Sequence, residues 1–267
     1  MQKLSERRST IVSTCNMKKL AVIDSGIGGL SVVRELLKLD NEIEINYFGD
    51  NIRVPYGNMS REEILSCMGN ILDFLYKKGV TDCLVACNTM SSAILNTGYT
   101  HKIKLYNIVT PAIDEVKRLR LRKAAILATK FTIASKEYDK RLKAIGTDEL
   151  LEMASSSLAA LIENFDDNRD IIEEELLDYK RLIDEGGYKN LILGCTHYEF
   201  IDSIFRDLMP EVEFIRPAKL LAESFDTSGL EKGDFNIYTT KGKETYIKSL
   251  RTLDIKKKLN IQDYIEI

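Results

Sequence analysis

Leu20-Ala21-Val22-Ile23-Asp24-Ser25-Gly26-Ile27-Gly28-Gly29-Leu30-Ser31 passes from an unbroken apolar run into a polar residue and then a glycine-rich turn. Two later stretches repeat the plan. Cys83-Leu84-Val85-Ala86 leads into Cys87-Asn88-Thr89, and Leu191-Ile192-Leu193-Gly194 leads into Cys195-Thr196-His197. A strand covered by helices on both faces reads as a continuous apolar run, so these stretches predict central strands of parallel sheets.

Working outward, short β-branched runs at 19–24, 43–48, 81–86, 105–109, 123–128, 189–194, 212–215 and 235–239 predict strands. Between them, helical patterns fall at 29–39, 60–78, 91–96, 111–119, 133–144, 169–185, 201–208 and 218–225. Such alternation defines an α/β fold. One barrel or two doubly wound sheets would satisfy it. Two sheets are preferred because polar residues collect just past the strand ends, where open α/β sheets bind ligands. Those residues are Asp24-Ser25-Gly26, Gly49-Asp50, Cys87-Asn88-Thr89 and Cys195-Thr196-His197. No Pro/Gly/Ser-rich linker marks a boundary, so two domains would have to touch closely.

The chain has 267 residues, 44% hydrophobic and 30% charged, with 38 Lys plus Arg against 41 Asp plus Glu, a net charge of −3. That balance argues against a basic nucleic-acid face. The basic stretches at 117–123 and 256–258 read as solvated segments, the first as a helix C-terminus that favours cations. No window approaches the roughly 18 apolar residues of a membrane span. The start, residues 1–17, is expected to be a disordered leader with no apolar h-region, and Cys15 there is read as exposed rather than lipidated. Five cysteines at scattered spacings, with no CxxC pair, point to a reduced cytoplasmic protein. Cys67 reads as a small hydrophobe on the inner side of a helix.

Cys87 and Cys195 share one local grammar: buried strand, small residue, thiol, polar pair. A cysteine at such a strand mouth, beside the following helix N-terminus, is expected to have its thiolate favoured. Two facing thiols suit a racemase, which removes a proton from one face of a stereocentre and returns one to the other. Zinc held by Cys87, Cys195 and His197 would lack a fourth ligand and an evident water-activating Glu. The Asp24–Ser31 turn offers backbone N–H groups to an anion. As a dinucleotide fingerprint it has Ser31 where glycine is required, and a carboxylate is sufficient occupant.

Four segments together carry a resemblance. Asp24–Val32 (DSGIGGLSV), Tyr47–Gly57 (YFGDNIRVPYG), Ala86–Ser91 (ACNTMS) and Leu193–Tyr198 (LGCTHY) resemble, in order, the signature segments of bacterial glutamate racemases, within the aspartate/glutamate racemase family. The resemblance covers the chain from about residue 18 to its end. It implies an isomerase that interconverts L- and D-glutamate without a cofactor or metal, supplying D-glutamate for peptidoglycan and cell shape. It also implies two similar α/β domains around the site, one from 18–109 with 213–267 and one from 110–212.

By the same resemblance Cys87 and Cys195 match the two catalytic thiols, facing D- and L-glutamate respectively. Asp24 and His197 match groups assisting proton transfer, and Asp50 and Glu163 match acidic residues tuning the site. Ser25, Tyr56, Gly57, Asn88, Thr89 and Thr196 match positions that hold the substrate. Thr129–Ser135 resembles a second-domain segment that places Thr132, with Thr129, at the ligand. Two positions depart from the pattern: Glu199 stands where proline is usual, and Arg216 where an acidic residue is usual. The implied partner is the small-molecule substrate, with no nucleic acid or membrane, and a homodimer is left open. Two alternatives also remain: a racemase of another acidic amino acid such as aspartate, and a non-catalytic amino-acid-binding regulator on the same scaffold.

Overall fold

The computed structural model describes residues 17–264. The expected leader, Cys15 included, lies outside the described residues except for Met17, which is exposed. The strands are β1 (Leu20–Asp24), β2 (Ile45–Gly49), β3 (Asp82–Val85), β4 (Lys104–Asn107), β5 (Lys123–Thr129), β6 (Glu149–Ser155), β7 (Asn190–Gly194), β8 (Glu213–Ile215), β9 (Phe235–Thr239) and β10 (Leu259–Asp263). They form two sheets, ordered β10-β9-β2-β1-β3-β4 and β6-β5-β7-β8, with every neighbouring pair parallel. All eight strands predicted from sequence are present, and the fold is α/β with two parallel sheets.

β1 shows why the apolar runs decide the fold. Leu20 and Val22 enter one hydrophobic core while Ala21 and Ile23 enter another, so both faces are buried. Helix Leu30–Leu39 closes one face with Leu30, Val33 and Leu36. Helix Arg61–Lys77 closes the other with Ile64, Met68, Ile71, Leu72 and Leu75, the i, i+4, i+7, i+8 stripe of an amphipathic helix. It starts at a capping box in which Ser60 Oγ accepts from the Glu63 N–H and the Glu63 carboxylate accepts from the Ser60 N–H. Cys67 on this helix is half-buried against the same core.

The core under helix Leu30–Leu39 does not stop at the first sheet. Ile126, Ala128, Ile192 and Ile215 of the second sheet belong to the same cluster, as do Ala112 and Val116 of helix Val109–Leu119 and Leu221 of helix Pro217–Ser224. The two sheets therefore share apolar packing along one side. β8 pairs with β7, so the second sheet reaches Ile215, past the 212 boundary drawn from sequence.

Other departures have local causes. The predicted helix 133–144 is two helices, Lys130–Ala134 and Glu137–Ala144, because Lys136 adopts φ 59° between them. The predicted helix 91–96 begins earlier, at Asn88, directly after Cys87. Helices Leu158–Glu163 and Lys243–Thr252 and strands β6 and β10 were not predicted. Among the described residues no helix is long and apolar enough to cross a membrane.

Candidate active site

β1 and β3 are adjacent, and successive strands depart from β1 in opposite directions, to β2 on one side and β3 on the other. That reversal is where an open α/β sheet leaves a crevice. Asp24-Ser25 and Cys87-Asn88-Thr89 emerge at it, facing Thr129 at the end of β5 and Cys195-Thr196-His197 after β7. Ser25, Tyr56, Gly57, Cys87, Asn88, Thr89, Thr129, Cys195, Thr196 and His197 line one narrow cleft. Larger grooves lie elsewhere and contain neither thiol.

Glycines let the β1 turn sit against its partners. A Cβ on Gly28 would overlap Thr196 Oγ1 and stand 2.7 Å from His197 Nδ1, and one on Gly26 would overlap Glu163 Oε1. Asp24 is fully buried. Its Oδ1 accepts from the Gly26 N–H at 3.0 Å and its Oδ2 from the Thr196 hydroxyl at 3.0 Å, linking the first sheet's turn to the second sheet's. Burial raises the Asp24 carboxyl above its ordinary range, against the opposing pull of His197 and these hydrogen bonds.

The two thiols have unlike surroundings. Cys87 is 5% exposed and its Sγ–H points at Ser25 Oγ, 3.8 Å away. Burial, then the negative charge of Asp24, pushes its thiol up to about 12. This corrects the expectation of a favoured thiolate there: burial and a carboxylate outweigh the N-terminus of a seven-residue helix. Cys195 is 6% exposed and lies 3.8 Å from His197 Nδ1. His197 Nε2 in turn bonds Glu163 Oε1 at 3.0 Å. Burial disfavours the charged ring, but Cys195 and Glu163 outweigh it and hold His197 well above its ordinary value. Burial likewise opposes the Glu163 carboxylate, and His197, the Ile27 N–H and Asn51 overcome it, leaving Glu163 below its ordinary range. The product is a His197 imidazolium set between a carboxylate and a thiol.

The remaining predicted residues fall in two groups. Thr89, Thr129 and Thr132 form a chain of hydroxyls at 2.9 Å steps, with Thr89 and Thr129 on the cleft and Thr132 buried behind it. Asn88 Oδ1 accepts from Tyr138 at 2.7 Å, while its buried Nδ2 has no partner. Asp24, Asp50 and Glu163 are not on the cleft wall. Asp50 accepts from Tyr56 at 2.6 Å, from Arg53 and from Thr240, so it anchors Tyr56 from behind. Sequence reasoning missed Asn51, which donates to Glu163 Oε2 at 3.0 Å, and Tyr138, Pro55 and Ala159. Asn51 lies inside the quoted Tyr47–Gly57 segment, and Ala159 is on the helix that carries Glu163. For Tyr138 no sequence signal existed. Among the described residues no three His, Cys, Asp or Glu side chains converge as a metal site would.

Two parallel α/β sheets with a thiol delivered by each to a shared cleft define a class of protein equipped for acid–base chemistry at one centre. Residues 31–225 match the Asp/Glu/Hydantoin racemase family model, and the chain belongs to that family. It is 32% identical to a glutamate racemase of Desulforudis audaxviator over 80% of each chain. It is 34% identical to one of Leptospira interrogans, over 73% of this chain and 76% of that one. The fold is similar to the crystal structure of glutamate racemase isoform RacE1 from Bacillus anthracis, with a TM-score of 0.80 and 26% identity over 92% of this chain and 97% of that one.

Proposed function

We propose that the protein interconverts L- and D-glutamate by a two-thiol mechanism that needs no cofactor or metal, in the cytoplasm, supplying D-glutamate for peptidoglycan. The observation that carries this reading is that Cys87, at the end of β3, and Cys195, at the end of β7, reach one cleft from different sheets. Racemisation requires a base on one face of the α-carbon and an acid on the other. From L-glutamate, the Cys195 thiolate takes the α-proton as the C–H bond breaks, and the Cys87 S–H gives its proton to the opposite face. A thiol pushed up to about 12 keeps its proton until a carbanion needs it. The reverse direction exchanges the roles, with Asp24 near Cys87 and His197 beside Cys195 assisting.

Asn88 Nδ2, buried and without a partner, is a donor held for a ligand oxygen. With the Ser25, Thr89, Thr129 and Thr196 hydroxyls lining the same cleft, it suits substrate carboxylates. Tyr56 and Gly57 complete the lining, Gly57 packed against Thr129. Free thiols at Cys67, Cys83, Cys87 and Cys195 fit a reducing cytoplasm.

The test is circular dichroism of L- and then D-glutamate with enzyme stripped by EDTA and without pyridoxal phosphate. Both signals should decay to zero with equal kcat/KM, because enantiomers have equal free energy. L-Aspartate should decay far more slowly. Racemisation of aspartate but not glutamate, loss of activity on chelation that zinc restores, or binding without turnover would each contradict the reading.

A further inference from the structure

Glu199 and Arg216, the two departures noted in the sequence, meet in one ion cluster. Glu199 lies in the 3-10 turn Thr196–Ile201, two residues after His197, and is 4% exposed. Its Oε2 pairs with Arg34 Nη2 at 3.2 Å, and its Oε1 is buried without a partner. Arg34 belongs to helix Leu30–Leu39, which grows directly out of the Gly26–Gly29 turn. Glu35, bonded by Arg34 and Lys38, faces the same cluster from that helix. Arg216, at the start of helix Pro217–Ser224, faces it with its own partner Asp202 from helix Asp202–Leu208.

A buried carboxylate with one cationic partner and one orphaned oxygen is a poor device for stability, since desolvation costs about as much as the pairing returns. Its location supplies a better reason. The Arg34–Glu199 pair joins the two segments that the Asp24–Thr196 hydrogen bond joins on the cleft side. We propose that Glu199 is a positioning residue: paired with Arg34, it holds the Thr196–His197 segment in register with the Asp24 turn and thereby sets the reactivity of Cys195. It touches no substrate, and its role in turnover rests on the racemase reading above.

Ionisation decides whether the clasp is engaged. Burial raises the Glu199 carboxyl to about 7, against the lowering effect of Arg34 and Arg216, with Glu35 and Asp202 adding to the rise. Below that pH the carboxyl is neutral and the ion pair is lost; above it the pair is charged on both sides.

The experiment follows iodoacetamide alkylation of Cys195 and Cys87 by peptide mass spectrometry from pH 5.5 to 9, in the parent, Glu199→Gln and Arg34→Gln, alongside turnover. Cys195 alkylation in the parent should carry a step near pH 7. The step should vanish in Glu199→Gln and equally in Arg34→Gln, because either change removes the ion pair at every pH. The Cys87 profile should be the same in all three proteins. At pH 8, Glu199→Gln should lower kcat about tenfold with KM nearly unchanged, as a misplaced rather than missing group does. Identical Cys195 profiles in parent and Glu199→Gln overturn the proposal whatever turnover does. If Glu199→Gln does not fold, a step that persists in Arg34→Gln overturns it. A parent that shows the step but racemises nothing defeats the functional reading and leaves the positioning role standing.

Discussion

Cys87 and Cys195 look alike in sequence, yet the fold gives them opposite companions. Cys87 sits with Ser25 under the field of Asp24, and Cys195 sits against an imidazolium held by Glu163. Glu163 is the test of that asymmetry. His197 is raised above its ordinary 6.5, so its share of the pair's stabilisation is full below about 6.5 and is lost as pH rises through its folded value. Glu163 is lowered from 4.5, so its share is present above about 4.5 and is lost as pH falls through its folded value. Between those limits both shares are present. Glu163→Gln should therefore cost about 1.5–3 kcal/mol at pH 5.5, read from thermal or urea melts, the cost of a charge-assisted hydrogen bond. The ring, left without its carboxylate, should lose its proton at lower pH, so the alkaline limit of kcat should move toward neutrality. A kcat profile that superimposes on the parent's would show that His197 is not held by Glu163.

At the scale of elements, the turn after β1 is the most demanding piece. Gly28 is tolerated only because it lacks a Cβ, with Thr196 and His197 packed where one would go. Gly28→Ala should push the Thr196–His197 turn away from Asp24. The expected loss is about 100-fold in kcat, from misplacement of about an ångström, and about 1–3 kcal/mol in stability from overpacking. Activity within twofold of the parent would mean that this turn is not held against the cleft.

The same scale shows what the sequence could and could not announce. β1, β3 and β7 are legible because both faces are buried and each carries an unbroken apolar run, at 20–23, 83–85 and 191–193. β6 escapes because Glu149, Leu150, Leu151 and Glu152 lie on an edge with partly exposed faces, and β10, an edge strand with Asn260, Gln262 and Asp263, escapes for the same reason. Site residues at strand ends were legible from position. Those that support them from a distance, Tyr138 on Asn88 and Asn51 on Glu163, depend on contacts that tertiary folding creates. Cys87 departs from the helix-dipole expectation because its burial beside Asp24 is created by tertiary folding and leaves no mark in the sequence.

For the whole molecule, we propose two lobes, 18–109 with 216–267 and 110–215, the second boundary moved so that β8 stays with β7. The shared core along one side holds the two sheets together, and behind the cleft wall Glu163 joins them with bonds to Ile27, Asn51 and His197. On the proposed two-thiol reading, chemistry on both faces of one carbon belongs to the assembled molecule, since each sheet supplies a single thiol. The direct test is α-hydrogen exchange in deuterated water by Cys87→Ser and Cys195→Ser, each offered L- and D-glutamate. A serine hydroxyl is far less acidic than a thiol, so neither variant should racemise. Cys87→Ser should exchange the α-hydrogen of L-glutamate alone, and Cys195→Ser that of D-glutamate alone. Racemisation at the parent rate by either variant, or exchange of the same enantiomer by both, would contradict the two-thiol account.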